Sequence, residues 1–229
     1  MADNKPKLTY FAVRSLAEVI RLALSAAKVE YDEVYLRSRE QFVQLITDGK
    51  LMFKQVPLLE IDGKTLIGSD CTLRYVCRTR GLMGKNSDDQ TLIDMLSSGA
   101  RDMFKLGIFN YKFKPTEEAR AEFLEKATKE CRERYLPVFE RILTGSKSGF
   151  LVGDTMTMAD IIFFDAVSYL QEAPNLKHTL AEFPGCQAFI AHFSQQPGIK
   201  EYLASPRRLP HMDDDMVAEV KQVVNIGKR

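Results

Sequence analysis

Val56-Pro57-Leu58-Leu59-Glu60-Ile61, then Asp62-Gly63, then a run ending in Thr65-Leu66-Ile67, is the stretch whose reading decides the fold. Two short apolar runs flank an Asp-Gly pair, the strongest short-range signal for a β-hairpin. Pro57 opens the first run, where a missing N–H is tolerated and a cis bond is possible. Upstream, Lys7 to Val13 reads as a strand. Leu8, Tyr10 and Ala12 fall on one side and Thr9, Phe11 and Val13 on the other, with bulky groups on both faces. Leu16, Ala17, Val19, Ile20, Ala23, Leu24 and Ala27 follow at helical spacing. Glu30 to Leu36 suits a second strand, and Arg39 to Ile46 a short amphipathic helix closed by Asp48-Gly49. Beyond the hairpin, Cys71 to Arg80 returns to helix and ends at Gly81. The order is βαβαββα.

After Gly84-Lys85-Asn86-Ser87 only helical patterns remain. Long helices are predicted over Asp88 to Tyr111, Thr116 to Leu143 and Thr157 to Tyr169. Shorter ones follow over Cys186 to Ser194 and Asp215 to Val224. The division is a mixed α/β domain over 1–83 and an all-α domain over 84–229. Lys plus Arg is 32 against 31 for Asp plus Glu, a net charge of +1, so no global field draws the chain to nucleic acid or anionic lipid. No apolar run is of bilayer-spanning length, and the cytoplasm is the expected location. The three His share no metal-ligand spacing. Cys71, Cys77, Cys131 and Cys186 form no C-x-x-C pair and read as reduced thiols.

Several ordered segments carry a family likeness. They are Lys5-Pro6-Lys7-Leu8-Thr9-Tyr10-Phe11, Lys50 through Gly63, Leu92-Ile93-Asp94-Met95, Arg134-Tyr135-Leu136-Pro137-Val138-Phe139-Glu140 and Leu151-Val152-Gly153-Asp154. Together they resemble a cytosolic glutathione transferase, and Ser205 to Asp213 is similar to its alpha class. The resemblance implies a thioredoxin-like first domain, a helical second domain, a homodimer, and reduced glutathione as cosubstrate with no tightly bound cofactor or metal. The βαβαββα order agrees with that fold.

The implied chemistry needs a thiolate, because the glutathione thiol is a poor nucleophile. Tyr10 taken alone reads first as a core aromatic, since aromatic strand residues are common in cores. By resemblance it is the catalytic residue, its hydroxyl donating to sulfur and stabilising the anion. The same resemblance makes Gln55, Val56, Pro57 and Ser69 glutathione contacts, with Asp102 and Arg134 contributing from the long helices. Ser69 also suits a helix cap, and a helix N-terminus favours a carboxylate. Lys50 or Lys54 would meet the glycine carboxylate. Phe11, Val13, Ile108, Phe109, Tyr111, Met212, Val217, Val220 and Val224 are candidates for an apolar acceptor pocket, the last helix acting as its lid. Phe53, beside Met52, is the expected dimer contact, since large apolar loop residues mark interfaces. Thr157-Met158-Ala159-Asp160 has the form of a capping box and is assigned a structural role.

The chain departs from the family pattern at four positions. Leu16 stands where alpha-class enzymes usually carry an Arg near the sulfur. Gly68 stands in place of a Gln, Ile46 in place of the Arg that meets the glycine carboxylate, and Asp70 in place of an Arg at the dimer axis. These departures keep a second reading open: a ligandin-like or crystallin-like binding protein on the same fold. Glutathione-dependent isomerisation or peroxide reduction would use the same activated thiol.

Overall fold

The structure, a computed structural model, describes residues 5–105, 113–172 and 176–224. It divides into two compact units. One is built on the chain up to Val76 together with the segment from Ala204; the other runs from Cys77 to Leu203.

The first unit is a four-stranded sheet with helices. β1 (Lys7–Tyr10) pairs in parallel with β2 (Asp32–Tyr35) and antiparallel with β3 (Leu58–Ile61), which pairs antiparallel with β4 (Lys64–Ile67). The strand order is β2-β1-β3-β4. The predicted hairpin is present. Asp62 and Gly63 both have positive φ, 50° and 70°, the pairing a tight type I′ turn requires. β1 is shorter than the predicted strand, which reached Val13. Its pairing with β2 stops at Tyr35 and with β3 at Leu58, because Pro57 has no N–H to extend the ladder. α1 (Glu18–Ala26) follows β1 after a 3-10 turn over Ser15–Ala17. α2 (Arg39–Thr47) starts at a full capping box, Ser38 with Gln41. α3 (Ser69–Thr79) follows β4.

The segment from Ala204 clusters with this unit. Arg208 pairs with Glu18, Arg14 Nε donates to the Leu209 carbonyl, and the Arg207 guanidinium lies 4.9 Å above the Tyr31 ring. The last helix, Asp214–Val224, packs on α2, and Arg39 Nη1 donates to the Val223 carbonyl at 3.1 Å. A cation there also suits the negative end of a helix.

The second unit is helical: α4 (Ser87–Phe104), α5 (Glu117–Glu130), α6 (Leu136–Gly145), α7 (Met158–Glu172), α8 (Pro184–Ser194) and α9 (Ile199–Leu203), with the tail helix of the first unit numbered α10. α4 packs against α7, which is buried on nearly every side. Stacked rings close the core, Phe139 on Phe163 at 4.0 Å and Phe164 on Phe193 at 4.4 Å. The predicted helix over Thr116 to Leu143 is interrupted by a π turn at Cys131–Tyr135. Pro137 follows in the first turn of α6; its ring and missing N–H oppose an uninterrupted α ladder, and a wider turn accommodates it. α9 and the 3-10 turn Lys177–Leu180 were not legible in the sequence.

Thr157 and Asp160 meet at the start of α7. Asp160 is fully buried, and its Oδ2 accepts from the Thr157 N–H and hydroxyl, each at 2.8 Å. Its Oδ1 accepts from the Leu151 N–H, also at 2.8 Å. The Thr hydroxyl therefore donates rather than caps. Asp160→Ala strands all three donors, with an expected cost of about 2–4 kcal/mol measured by urea unfolding. Burial pushes the Asp160 carboxyl up to about 6 from an ordinary 3.8, despite these bonds. The folded chain then holds the proton more tightly than the unfolded chain between those values. Its contribution to stability falls as pH rises from about 4 to about 6 and is level above. Asp160→Asn should abolish that slope.

Candidate active site

Strand register gathers the predicted residues of the first unit at one end of the sheet. Thr9 lies opposite Leu58, so the next pair outward is Tyr10 and Pro57; Leu58 lies opposite Ile67, so the next is Pro57 and Gly68. The Val56–Pro57 peptide is cis. Gln55 Nε2 lies 3.8 Å from where a Cβ on Gly68 would stand, so its exposed amide borders the β4–α3 turn. Gly68 has φ +83°, a conformation that residues with a Cβ rarely adopt, and its carbonyl accepts from the Thr72 N–H. Gly68, not Ser69, therefore holds the N-cap position, and Ser69 is the first residue of α3, half-buried. The helix start offers backbone N–H groups beside the carboxyl ends of β1 and β4.

Tyr10 is 4 % exposed. Its hydroxyl donates to Ser15 Oγ at 3.2 Å. Burial raises its pKa above the ordinary phenol value, outweighing Ser15, the Arg21 charge and the Leu16 N–H, all of which lower it. The phenol is therefore a neutral donor at physiological pH. Ser15 has φ 41°, in the left-handed region. The loop before it is held by Arg21, whose Nη1 donates to the Val13 carbonyl at 3.0 Å and the Arg14 carbonyl at 3.2 Å. Arg21 is fully buried and also pairs with Glu18 at 3.2 Å and Glu33 at 2.5 Å. Arg14 is turned to the tail at Leu209.

The remaining candidates are distributed. Lys50 is bonded to Glu60 at 2.8 Å, and Lys54 is exposed with φ 53°. Phe11 and Val13 are buried. In α10, Val217 and Val223 are the buried residues, while Val220 and Val224 are half-buried, as is Met212 before the helix. Met52 and Phe53 are 78 % and 70 % exposed. Asp102 is exposed on α4, and Arg134, exposed in the π turn, pairs with Glu130 at 3.0 Å. Ile108, Phe109 and Tyr111 lie outside the described residues. A cavity of about 660 Å³ in the second unit, lined in part by Leu124, Thr128, Arg132 and His178, contains none of the candidates. Among the described residues, no group of three or more His, Cys, Asp or Glu is placed to hold a metal ion, and no helix is long and apolar enough to cross a membrane.

A family model described as the N-terminal domain of glutathione S-transferase matches residues 6–78, and one for its C-terminal domain matches 101–206. The chain is 39% identical over 225 residues to glutathione S-transferase alpha-4 of Rattus norvegicus, covering 97% of this chain and 99% of the relative. The chain belongs to the glutathione S-transferase family. Glutathione S-transferase A4 of Homo sapiens is 37% identical, with 97% of each chain covered. Among solved structures, the glutathione S-transferase from Ascaris lumbricoides superposes with TM-score 0.76 at 29% identity, covering 91% of this chain and 98% of that one. A monomeric glutathione S-transferase of Necator americanus superposes with TM-score 0.75 at 27% identity, covering 91% and 98%.

Sequence reasoning missed Glu18, Arg21 and Ser15. The available signal was a pair of charges three residues apart on the apolar face of α1, which burial requires to be compensated. Arg21→Met leaves Glu33 without its guanidinium and releases the Val13 and Arg14 carbonyls. The expected loss is about 3–5 kcal/mol by urea unfolding followed by far-UV circular dichroism. A change below about 1 kcal/mol would contradict the role given to this residue.

Proposed function

We propose that the chain joins the thiolate of reduced glutathione to hydrophobic electrophiles, with Tyr10 as the catalytic hydrogen-bond donor. The observation that carries this reading is a buried, protonated Tyr10 hydroxyl at the carboxyl end of β1, level with Pro57 and one strand from Gly68-Ser69. A neutral donor aimed at sulfur stabilises the anion and lowers the thiol pKa, so that the nucleophile is present at neutral pH. Glutathione brings the reacting atom; the protein supplies orientation and oriented dipoles. Gln55, the Val56 backbone and Ser69 hold the peptide, and the N-terminal turn of α3 receives a carboxylate. The thiolate attacks the electrophilic carbon, a C–S bond forms, and the displaced electron pair leaves with the leaving group or settles on the acceptor.

Tyr10→Phe is expected to lower kcat/KM by about 100-fold or more, the usual effect of deleting one oxyanion donor. The thiol pKa of bound glutathione, followed by thiolate absorbance against pH, should rise toward its value in water. A protein that does not bind glutathione, or binds it without moving that pKa, would instead fit the carrier reading favoured by Leu16, Gly68 and Ile46.

A homodimer is part of the same proposal. An exposed Phe beside an exposed Met is costly to leave in water, and each large side chain gains about 1.5–3 kcal/mol on burial. Phe53→Ser should convert dimer to monomer in sedimentation velocity. A wild-type chain that already sediments as a monomer, like the Necator relative by its description, would remove this role from Phe53.

A further inference from the structure

We propose that Ser15 is a positioning residue for the thiolate chemistry, its hydroxyl donating to the Tyr10 oxygen once Tyr10 turns its own proton to sulfur. The inference rests on the reading of Tyr10 as the thiol's donor. It goes beyond that reading by adding a second hydroxyl to the site.

The geometry is specific. Ser15 Oγ lies 3.2 Å from the Tyr10 oxygen and is half-buried beside a phenol almost closed to water. The Leu16 N–H faces the same oxygen. Ser15 adopts φ 41°, which a residue with a Cβ resists, at the first position of a 3-10 turn. The conformation persists because Arg21 grips the two carbonyls immediately before it, Val13 and Arg14, from a fully buried position. A glycine would meet no such resistance, so the hydroxyl has a use at this place.

The chemistry follows from what a hydroxyl can do. Ser carries one donor hydrogen and two lone pairs, and its hydrogen rotates freely. Without a thiol bound, Ser15 accepts from Tyr10. With a thiolate present, Tyr10 donates to sulfur and its oxygen becomes the acceptor in a chain running from Ser15 to Tyr10 to sulfur. A donor on the phenol oxygen makes the phenol more acidic and its own hydrogen bond stronger. Ser15 stands directly before Leu16, where the sequence lacks the expected Arg near sulfur. The hydroxyl pair supplies, as dipoles, part of what that cation would supply as charge.

Ser15→Gly relieves the backbone and deletes the hydroxyl, so loss of folding does not confuse the result. The expected outcome is a bound-glutathione thiol pKa higher by about 0.5–1 unit and kcat/KM at pH 6.5 lower by roughly 3–10-fold. KM for glutathione should change by less than about two-fold, since the effect lies on the reacting sulfur rather than on binding. In a Tyr10→Phe background, Ser15→Gly should do nothing further, because its action passes through the phenol oxygen. An unchanged pH profile in Ser15→Gly, with Tyr10→Phe still shifting it, overturns the role of Ser15 and leaves Tyr10 standing. A full Ser15→Gly effect that persists without the phenol overturns the relay. No shift with Tyr10→Phe removes the underlying reading as well.

Discussion

The buried guanidinium of Arg21 is the interaction on which the first unit depends. It joins α1 to β2 through Glu33, ties its own helix through Glu18, and fixes the loop between β1 and α1 through two carbonyls. Isolated burial of such a cation would be prohibitive; paired carboxylates and carbonyls make it tolerable. Replacing the whole cluster by apolar residues would cost little stability, whereas removing the guanidinium alone strands the buried carboxylates. What the cluster does fix is geometry. A Leu at this place would leave Glu33 without its guanidinium and the Val13 and Arg14 carbonyls without that donor. The loop that presents Ser15 to Tyr10 would then have several conformations.

The same cluster reaches the end of the chain. Glu18 divides its two oxygens between Arg21 and Arg208, while Arg14 and Arg207 engage Leu209 and Tyr31. Arg14, Arg207 and Arg208 thus fasten the tail, and Arg21 shares Glu18 with the last of them. α10 then continues onto α2, where Arg39 bonds the Val223 carbonyl. α10 is thus held at its approach by a buried ion pair and near its own end by a part-buried hydrogen bond.

Local chemistry made much of this legible. Asp62-Gly63 announces its turn because few other pairs accept two positive φ angles in succession. The four strands and α1 to α3 follow from short periodic runs between such signals. The resemblance, not the pattern, singled out Tyr10 and the Gln55-Val56-Pro57 segment, and register then brought them together at one sheet end. What stayed hidden is long-range or directional. Arg208 lies 190 positions from Glu18, and no spacing rule connects them. The π turn before Pro137 keeps the helical periodicity nearly intact on both sides. Sequence position alone gives Arg14 no direction, and its side chain serves the tail. The Asp213 carboxylate caps α10 by accepting from the Met216 N–H at 2.8 Å.

In the proposed thiolate chemistry, burial of Tyr10 acts in two opposed ways on an anion beside it. It keeps the proton on the phenol and strengthens each hydrogen bond by excluding water. It also removes the water that would otherwise solvate a thiolate, which raises the thiol pKa rather than lowering it. One neutral donor must therefore do more than replace one water. In this chain the two arginines of the preceding loop and helix are turned to backbone carbonyls and carboxylates, with Leu16 between them. The balance can favour the thiolate only if dipoles fixed before the thiol arrives act together, because water molecules would have to reorient and these groups do not. A Tyr hydroxyl, a Ser hydroxyl behind it and a backbone N–H on the same oxygen form such a set. The strained Ser15 backbone and the buried Arg21 that holds it are the structural conditions for keeping that set in place.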